Sequence, residues 1–450
     1  MKKIICAIVA GSFAASCSSD PAQFSSGESV DQTQEELDVT ATKSLTRKNI
    51  SSSDEGTREA DTVSYYNSVG TGSTGGGLSI KAALDTLDKF KTRYGFGGAG
   101  ERIVYYYNRG DLGIGREMHC VDNLVTTGEI ACYVTNFAGG LDNTQFTFGQ
   151  SAQTAFNNMN LGFDHSFATV AMVYRDALAV DNQIFFVVYN KLGGIANAAA
   201  LDRTGVEYAN GRAASAVPGT NFNNHIPTNC LNCHGGASTY TSPNVRKAMF
   251  LPFDLDQFDY QNVAGKQRSD QLTSFKHMNE LVWKVAARSG AECLPRPCTS
   301  GPLVSQLDGW YGNTVHQSDP GNEVFENDFN SAFIPSGWNG NANAKALYTS
   351  IIRPMCRNCH ASNTTHPFDT EAQFQALQGA AVSDICTYAM PHALQTYRLF
   401  WQSSKSPALQ NYLNATGQTT LANQLAACGP GKVVDLDSQF VRATTTVMLQ

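Results

Sequence analysis

Two short stretches of the sequence repeat one arrangement of side chains that could do chemistry. The stretches "TNCLNCHGGA" (228–237) and "PMCRNCHASN" (354–363) each place two cysteines three residues apart, with a histidine directly after the second. In this C-x-x-C-H spacing, the two thiols can form thioethers with a porphyrin, and the adjacent imidazole can bind its iron. We therefore expect two covalent c-type hemes (heme c). Their attachment and proximal residues are Cys230, Cys233, His234, Cys356, Cys359 and His360.

Paired cysteines can also form a zinc site or a redox-active dithiol. The two pairs of a zinc ribbon usually lie within about 15 to 20 residues of each other. Here Cys230 and Cys356 are 126 positions apart, and a histidine follows each pair at once. The spacing therefore favours heme c over both alternatives.

The sixth iron ligand decides whether a heme only transfers electrons or also has room for a small molecule. For the second heme we expect Met390, in "YAMPHA", 30 residues after His360. A Met-Pro pair in such a loop is similar to the arrangement of small class I cytochromes c, in which the proline fixes the backbone that aims the sulfur. His392 is the alternative ligand, and a place in the core is the alternative role of Met390.

The first heme has several candidate sixth ligands. Met249 follows His234 by only 15 residues, which is short for a chain that must pass round the macrocycle. His119, in "REMHC", lies beside a cysteine whose disulfide would hold it rigidly. Met278 lies on the apolar face of a predicted helix, and its neighbour His277 is expected in solvent. His119, Met249 and an open coordination position all remain as alternatives.

The N-terminal stretch "MKKIICAIVAGSFAASC" (1–17) has two lysines and then an apolar run too short to span a bilayer. It predicts an export signal. Its last four residues, Ala-Ala-Ser-Cys, resemble a bacterial lipobox. We therefore expect removal of Cys6, lipidation of Cys17, and an outer-membrane lipoprotein of the cell envelope that faces the periplasm or the cell exterior. An ordinary secretory signal is the alternative.

Residues 18–77 are rich in Ser, Thr, Gly, Asp and Glu. Such a segment buries too little apolar surface to offset its chain entropy, so we expect a flexible tether. The lipid on Cys17 would then be the chain's contact with the membrane.

Six further cysteines remain, and an even number in an exported chain predicts disulfides. Six cysteines allow 15 connectivities. Proximity in the sequence favours three pairs, of which the first two are close neighbours and the third is not. The pairs are Cys120–Cys132, Cys293–Cys298 and Cys386–Cys428.

The residues with chemical potential must be positioned by helices and strands that the sequence also predicts. Four stretches rich in β-branched and aromatic residues predict an antiparallel sheet or a small sandwich. They are 102–108, 129–137, 168–174 and 182–190. A predicted helix precedes them, with Ser79 as its N-cap and Tyr94 near its end.

Helical patterns dominate the rest of the chain. They are 268–290, 343–355, 393–404 and 406–416. The whole predicts an α+β fold, with an N-terminal β-rich domain (78–220) and two mainly α-helical, cytochrome c-like heme domains (221–345 and 346–450). A local echo, "LPFDLDQF" (251–258) and "HPFDTEAQF" (366–374), follows the two signatures and suggests a duplicated module.

The composition limits the class of protein. The chain has 450 residues, of which 42% are hydrophobic, and this length predicts more than one domain. Its 32 basic residues are balanced by 39 acidic ones, without a run of Lys or Arg. Nucleic acid is therefore not an expected partner.

Several motifs occur in an order that is more specific than any one of them. They are "YYYNRGDLGIGREMHC", "ACYVTNFAG", "TVAMVY", "NCLNCHGG", "FLPFDLDQFDY", "GWYG", "FIPSGW", "CRNCH" and "AMPHALQTYRLFW", within residues 100–402. In this the chain resembles a family of di-heme c-type cytochrome lipoproteins of Gram-negative bacteria. The resemblance implies an exported heme protein and carries no established reaction with it.

Electron transfer is the function that these features favour, with a redox partner protein or a small electron donor or acceptor. A di-heme peroxidase is the main alternative, and it would need an open heme with a distal acid or base. Those enzymes usually carry their first signature near the mature N-terminus, whereas roughly 210 mature residues precede it here. A third interpretation is a binding module in which the hemes report the redox state.

Overall fold

The structure, a computed structural model, describes part of the chain. The described residues are 84, 86–110, 113–137, 152–166, 168–178, 183–190, 200–201, 228–235, 248–288, 301–312, 325–362, 366–387, 396, 399–401 and 403–428. All of them belong to one unit, Leu37–Gln450. The predicted export signal (1–17) and tether (18–77) lie outside the described residues.

An antiparallel sheet forms the centre of the described structure. Its seven described strands are β1 (Arg102–Asn108), β2 (Gly115–Asn123), β3 (Glu129–Phe137), β4 (Ala168–Arg175), β5 (Ile184–Asn190), β6 (Ala200–Leu201) and β7 (Phe258–Asp259). Their order across the sheet is β6-β5-β4-β3-β2-β1-β7. Consecutive strands are neighbours from β1 to β6, as in a meander, whereas β7 joins the free edge of β1 from much later in the chain.

The described helices are mostly short. They are α1 (Leu87–Tyr94), α2 (Leu124–Thr127), α3 (Ala152–Leu161), α4 (Thr228–His234), α5 (Arg268–Ala286), α6 (Pro302–Tyr311), α7 (Ala342–Leu347), α8 (Arg357–His360), α9 (Glu371–Thr387), α10 (Lys405–Ala415) and α11 (Thr419–Ala427). A π-helix, Tyr348–Cys356, joins α7 to α8 and contains Pro354. Because proline has no N–H to donate, a widened turn at this place is a physically reasonable arrangement.

Helix α1 shows how local chemistry sets a boundary. The hydroxyl of Thr86 accepts a hydrogen bond from the backbone N–H of Lys89, and Gly95 ends the helix in the left-handed region at φ +76°. This is an ordinary N-cap and C-cap pair. Ser79, which the sequence predicted as the N-cap, lies outside the described residues.

Each face of the sheet packs against a different layer. On one face, residues of α1 such as Phe90 pack with Tyr133 and Val187 of the strands. On the other face, Tyr106 and Phe186 share a core with α5, α6 and the segment that follows the first signature. The buried members from these later segments include Leu231, Phe250, Phe253, Phe275, Val282, Trp283 and Trp310.

This shared core crosses the predicted domain boundary at residue 220. Strand β7 lies after the first signature, yet it pairs with β1. The segments predicted as a β-rich domain and as a first heme domain thus share one sheet and one core. The second half has its own core, in which Trp338, Ile352 and Leu413 are buried among α7 and α10.

The fold is therefore α+β, an antiparallel sheet with helices on its faces. None of the helices in the described part of the chain is both long and apolar enough to cross a membrane.

Candidate heme attachment sites

The first signature lies on α4. Cys230 and Cys233 form no disulfide and are partly exposed. The Nδ1 atom of His234 lies 3.0 Å from the backbone oxygen of Met249, and the Met249 N–H donates to the oxygen of His234 at 2.8 Å. A carbonyl oxygen can only accept, so Nδ1 carries the proton and Nε2 keeps its lone pair. Burial lowers the pKa of His234 to about 4, which keeps the imidazole neutral.

The second signature spans the end of the π-helix and α8. The Nδ1 atom of His360 donates to the backbone oxygen of His366 at 2.7 Å. The Phe368 ring stacks on this imidazole, with 4.0 Å between centroids and 10° between planes. Burial lowers the pKa of His360 to about 4 and raises the pKa of the Cys356 thiol to about 12.

The two histidines are thus held in the same way. Each donates its Nδ1–H to a backbone carbonyl downstream in the sequence, and each retains a neutral Nε2. A histidine that binds a metal through one nitrogen normally donates the other N–H to such a partner, which fixes the tautomer and the ring orientation. The accepting residue precedes an echoed "PFD" segment in both cases, His366 directly (367–369) and Met249 by three residues (252–254).

The two signatures, far apart in sequence, meet in space. The Ser362 hydroxyl donates to the backbone oxygen of Cys233 at 2.8 Å and lies 3.3 Å from the backbone oxygen of Cys359. These two oxygens belong to equivalent positions, the cysteine just before each histidine. Gly235 makes the approach possible, because a Cβ at this residue would overlap the backbone oxygen of Ser362.

A buried ion pair also fastens the second signature to the first half of the molecule. Arg357, between the two cysteines of the second signature, binds Asp254 bidentately, with Nε–Oδ2 2.5 Å and Nη2–Oδ1 2.7 Å. It also donates to the Tyr348 hydroxyl at 2.8 Å and lies over the Trp310 ring, 4.8 Å from its centroid. The side chains of Arg357 and Asp254 are only 4% and 0% exposed.

Two further acid–arginine pairs extend from the same segment. Asp256 binds Arg268 of α5 at 3.0 Å, and Asp259 binds Arg109 at the end of β1 at 3.1 Å. The stretch 254–259 therefore contacts the sheet, the long helix and the second signature through three successive carboxylates.

These residues fit the covalent heme that the signatures predict. Each site has two cysteines outside any disulfide, three residues apart on a helical turn, followed by an imidazole whose Nδ1 is bonded to a backbone carbonyl. Among the described residues, no group of three or more His, Cys, Asp or Glu side chains could hold a metal ion. A heme iron does not need such a group, because the porphyrin supplies its four in-plane ligands.

His119, a candidate sixth ligand for the predicted first heme, already has a partner at each ring nitrogen. Its Nδ1 lies 2.5 Å from Glu101 Oε1 and its Nε2 2.8 Å from Glu117 Oε1, so both ring nitrogens are engaged. The ring stacks on Tyr133, on the sheet face that packs against α1. His234 instead lies against Phe186, whose side chain belongs to the opposite face.

Met249 is also poorly placed for that role. Its backbone exchanges two hydrogen bonds with His234, one of them from Nδ1, the ring nitrogen that would not bind iron if Nε2 did. A sixth ligand would have to come from the side opposite His234, whereas the Met249 backbone is held against His234. Met278 is fully buried in the core, as its helical position predicted. His277 is not simply solvated, because Arg102 donates to its Nδ1 at 3.3 Å.

The remaining predicted site residues divide into two groups. Disulfides join Cys120 to Cys132 and Cys386 to Cys428. The others lie outside the described residues: Cys6, Cys17, Cys293, Cys298, Met390 and His392.

Sequence reasoning missed the residues that bring the two sites together. Gly235 follows the first histidine, Arg357 lies between two cysteines, and Asp254 belongs to the echoed "PFD". The sequence did contain one signal for this contact: Arg357 is a charged residue within a motif whose other residues are expected to be buried. A buried guanidinium needs an acidic partner. Nothing in the sequence names Ser362.

Comparison of the chain with known protein families, curated proteins and solved structures found no match.

Proposed function

We propose that this protein is an exported di-heme c-type cytochrome that transfers electrons. The observation that carries the proposal is the matched pair of histidines, each fixed through Nδ1 and each directly after two cysteines that form no disulfide. When bound, heme iron supplies reversible one-electron exchange between its ferrous and ferric forms.

The chain's own residues hold and orient the cofactor. In each signature, the two cysteines would hold the porphyrin through thioethers, each thiol adding its sulfur and its hydrogen across one vinyl C=C bond. The carbonyls of Met249 and His366 hold the imidazole rings of His234 and His360 in place. Because the ring proton lies on Nδ1, Nε2 of each ring would be able to hold iron without first losing a proton.

The cellular setting forms part of the same proposal. Covalent heme attachment keeps the cofactor on a protein outside the cytoplasm, which fits the N-terminal signal and the expected lipid on Cys17. The tether 18–77 would give the heme-bearing part access to a redox partner protein or to a small electron donor or acceptor in the cell envelope. The helical segments around the signatures would then be the cytochrome c-like modules.

The sixth ligands test the electron-transfer role. We expect Met390→Ala to lower the reduction potential of one heme and to allow it to bind carbon monoxide, because a thioether ligand favours ferrous iron and blocks the sixth position. Spectroelectrochemistry of the holoprotein measures both effects. Met249→Ala and His119→Gln are matched controls, and neither should open a heme to carbon monoxide.

Two outcomes would count against the proposal. If the spectrum of Met390→Ala were unchanged, the assignment of Met390 as a heme ligand would be wrong. A high-spin ferric spectrum of the unaltered protein, together with turnover of hydrogen peroxide, would favour the peroxidase alternative over simple electron transfer.

A further inference from the structure

We infer that the two attachment helices are held in contact so that electrons pass directly between the two iron sites. The two hemes would then act as a coupled pair and not as two independent electron carriers. The inference rests on the proposed function and goes beyond it. Its basis is a set of contacts between α4 and α8 that join equivalent atoms of the two signatures.

The first contact is made by one hydroxyl. Ser362 Oγ lies 2.8 Å from the oxygen of Cys233 and 3.3 Å from the oxygen of Cys359. The two carbonyl oxygens can therefore be no farther apart than the sum of these distances. Each belongs to a residue that both carries a thioether and precedes the proximal histidine, so the two cofactors are attached at adjoining points.

The second contact depends on a missing side chain. Gly235, directly after His234, has φ +75°, and a Cβ there would overlap the backbone oxygen of Ser362. Any residue with a side chain at this position would push the two helices apart. The backbone of Ser362 cannot move away by itself, because it lies only two residues after the end of α8 and the second signature. The glycine thus permits a closer approach than any other residue would.

A third tie is independent of the first two. The Asp254–Arg357 pair fixes the first residue of α8, between Cys356 and Cys359, onto the segment that follows the first signature. That segment begins at Met249, whose carbonyl holds His234. These buried, bidentate contacts therefore fix the orientation of one site relative to the other.

Close attachment has an electronic consequence. Transfer within the pair takes one electron from ferrous iron at one site and gives it to ferric iron at the other, so no further oxidant or reductant is needed. Adding an electron to one site also changes its charge by one unit, and at short range in a protein interior this makes reduction of the neighbouring site less favourable. The two sites should therefore titrate as interacting centres.

The test uses the full holoprotein and electron paramagnetic resonance during a reductive titration. In the unaltered protein, we expect the signal of the ferric heme that is reduced last to change position or width as its neighbour is reduced. In Gly235→Ala that change should be lost or clearly reduced. Gly265→Ala is the matched control, because Gly265 also has a positive φ of +81° but no heavy atom within 4 Å of an added Cβ.

Ser362→Ala serves as a milder variant that leaves the backbone contact in place, and it should weaken the coupling less than Gly235→Ala does. Two unaltered ferric signals in the natural sequence, each insensitive to the oxidation state of the other, would overturn the inference while leaving a di-heme cytochrome intact. Protein that carries no covalent heme would instead contradict the proposed function.

Discussion

At the scale of single residues, the two nitrogens of His234 and of His360 have different tasks. One is committed to a backbone carbonyl, and the other is left with a lone pair in a site whose burial keeps the ring neutral. The spacing of the signatures predicts His234 and His360 as proximal ligands, and this role stays a prediction. The sequence could not predict their carbonyl partners, because a backbone acceptor leaves no mark on residue type.

The Asp254–Arg357 pair gives a prediction on stability. We expect Arg357→Lys to lower the free energy of unfolding by about 3 kcal/mol, because lysine cannot reproduce the bidentate contact and leaves a buried carboxylate poorly paired. Arg268→Lys is the matched control: its pair with Asp256 is at the surface, with the arginine side chain 40% exposed, and should cost less than about 1 kcal/mol. Urea denaturation of the holoproteins measures both. If both substitutions lowered the free energy of unfolding equally, the buried pair would stabilise the fold no more than the surface pair does.

Asp369 gives a prediction on pH dependence. Burial raises the pKa of its carboxyl from 3.8 to about 6. The folded protein therefore disfavours the ionised form, and the stability associated with the protonated acid is lost as the pH rises from 3.8 through about 6. We expect Asp369→Asn to be more stable than the natural protein at pH 7.5, by about 1–2 kcal/mol after allowance for partial exposure.

At pH 3.5 the two proteins should unfold at nearly the same urea concentration, because the aspartic acid is then neutral as well. A stability difference that is the same at both pH values would show that ionisation of Asp369 is not its cause.

At the scale of elements, the sequence predicted the helices and strands whose residue types have a high propensity for the structure they form. Strands β1 and β3 have the predicted bounds because both are rich in β-branched and aromatic residues. Strand β2, "GREMHCVDN", was missed, because its polar residues obscure the alternation of apolar and polar positions that is typical of a strand. Helix α6 was missed because it lies in a stretch rich in Gly and Asn. In both cases tertiary packing overrides local propensity.

The disulfide between β2 and β3 gives a prediction at this scale. Cys120 and Cys132 are directly opposite each other in the register, with 4.1 Å between their Cα atoms. We expect Cys120→Ala combined with Cys132→Ala to lower the free energy of unfolding by about 2–4 kcal/mol, since the closed loop no longer restricts the unfolded chain. The hemes should keep their spectra in this variant. A heme spectrum that changes would show that the pair also shapes a heme site.

At the scale of the whole molecule, buried residues of the sheet and of the segments around the first signature belong to one core. Composition and pattern predicted the α+β class, and they predicted a boundary at 220 because strand character ends there. The contacts that cross it, such as β7 with β1 and Arg109 with Asp259, are long-range and leave no local signal. The same holds for the meeting of α4 and α8.

Everything proposed for this molecule depends on covalent heme at both signatures. The most direct measurement is the mass of the denatured protein after expression together with a c-type maturation system. We predict an increase equal to two hemes, falling to one heme in Cys356→Ala combined with Cys359→Ala. The increase should stay at two hemes in Cys386→Ala combined with Cys428→Ala, which removes a disulfide instead. A denatured protein of unaltered sequence whose mass shows no heme would contradict the account.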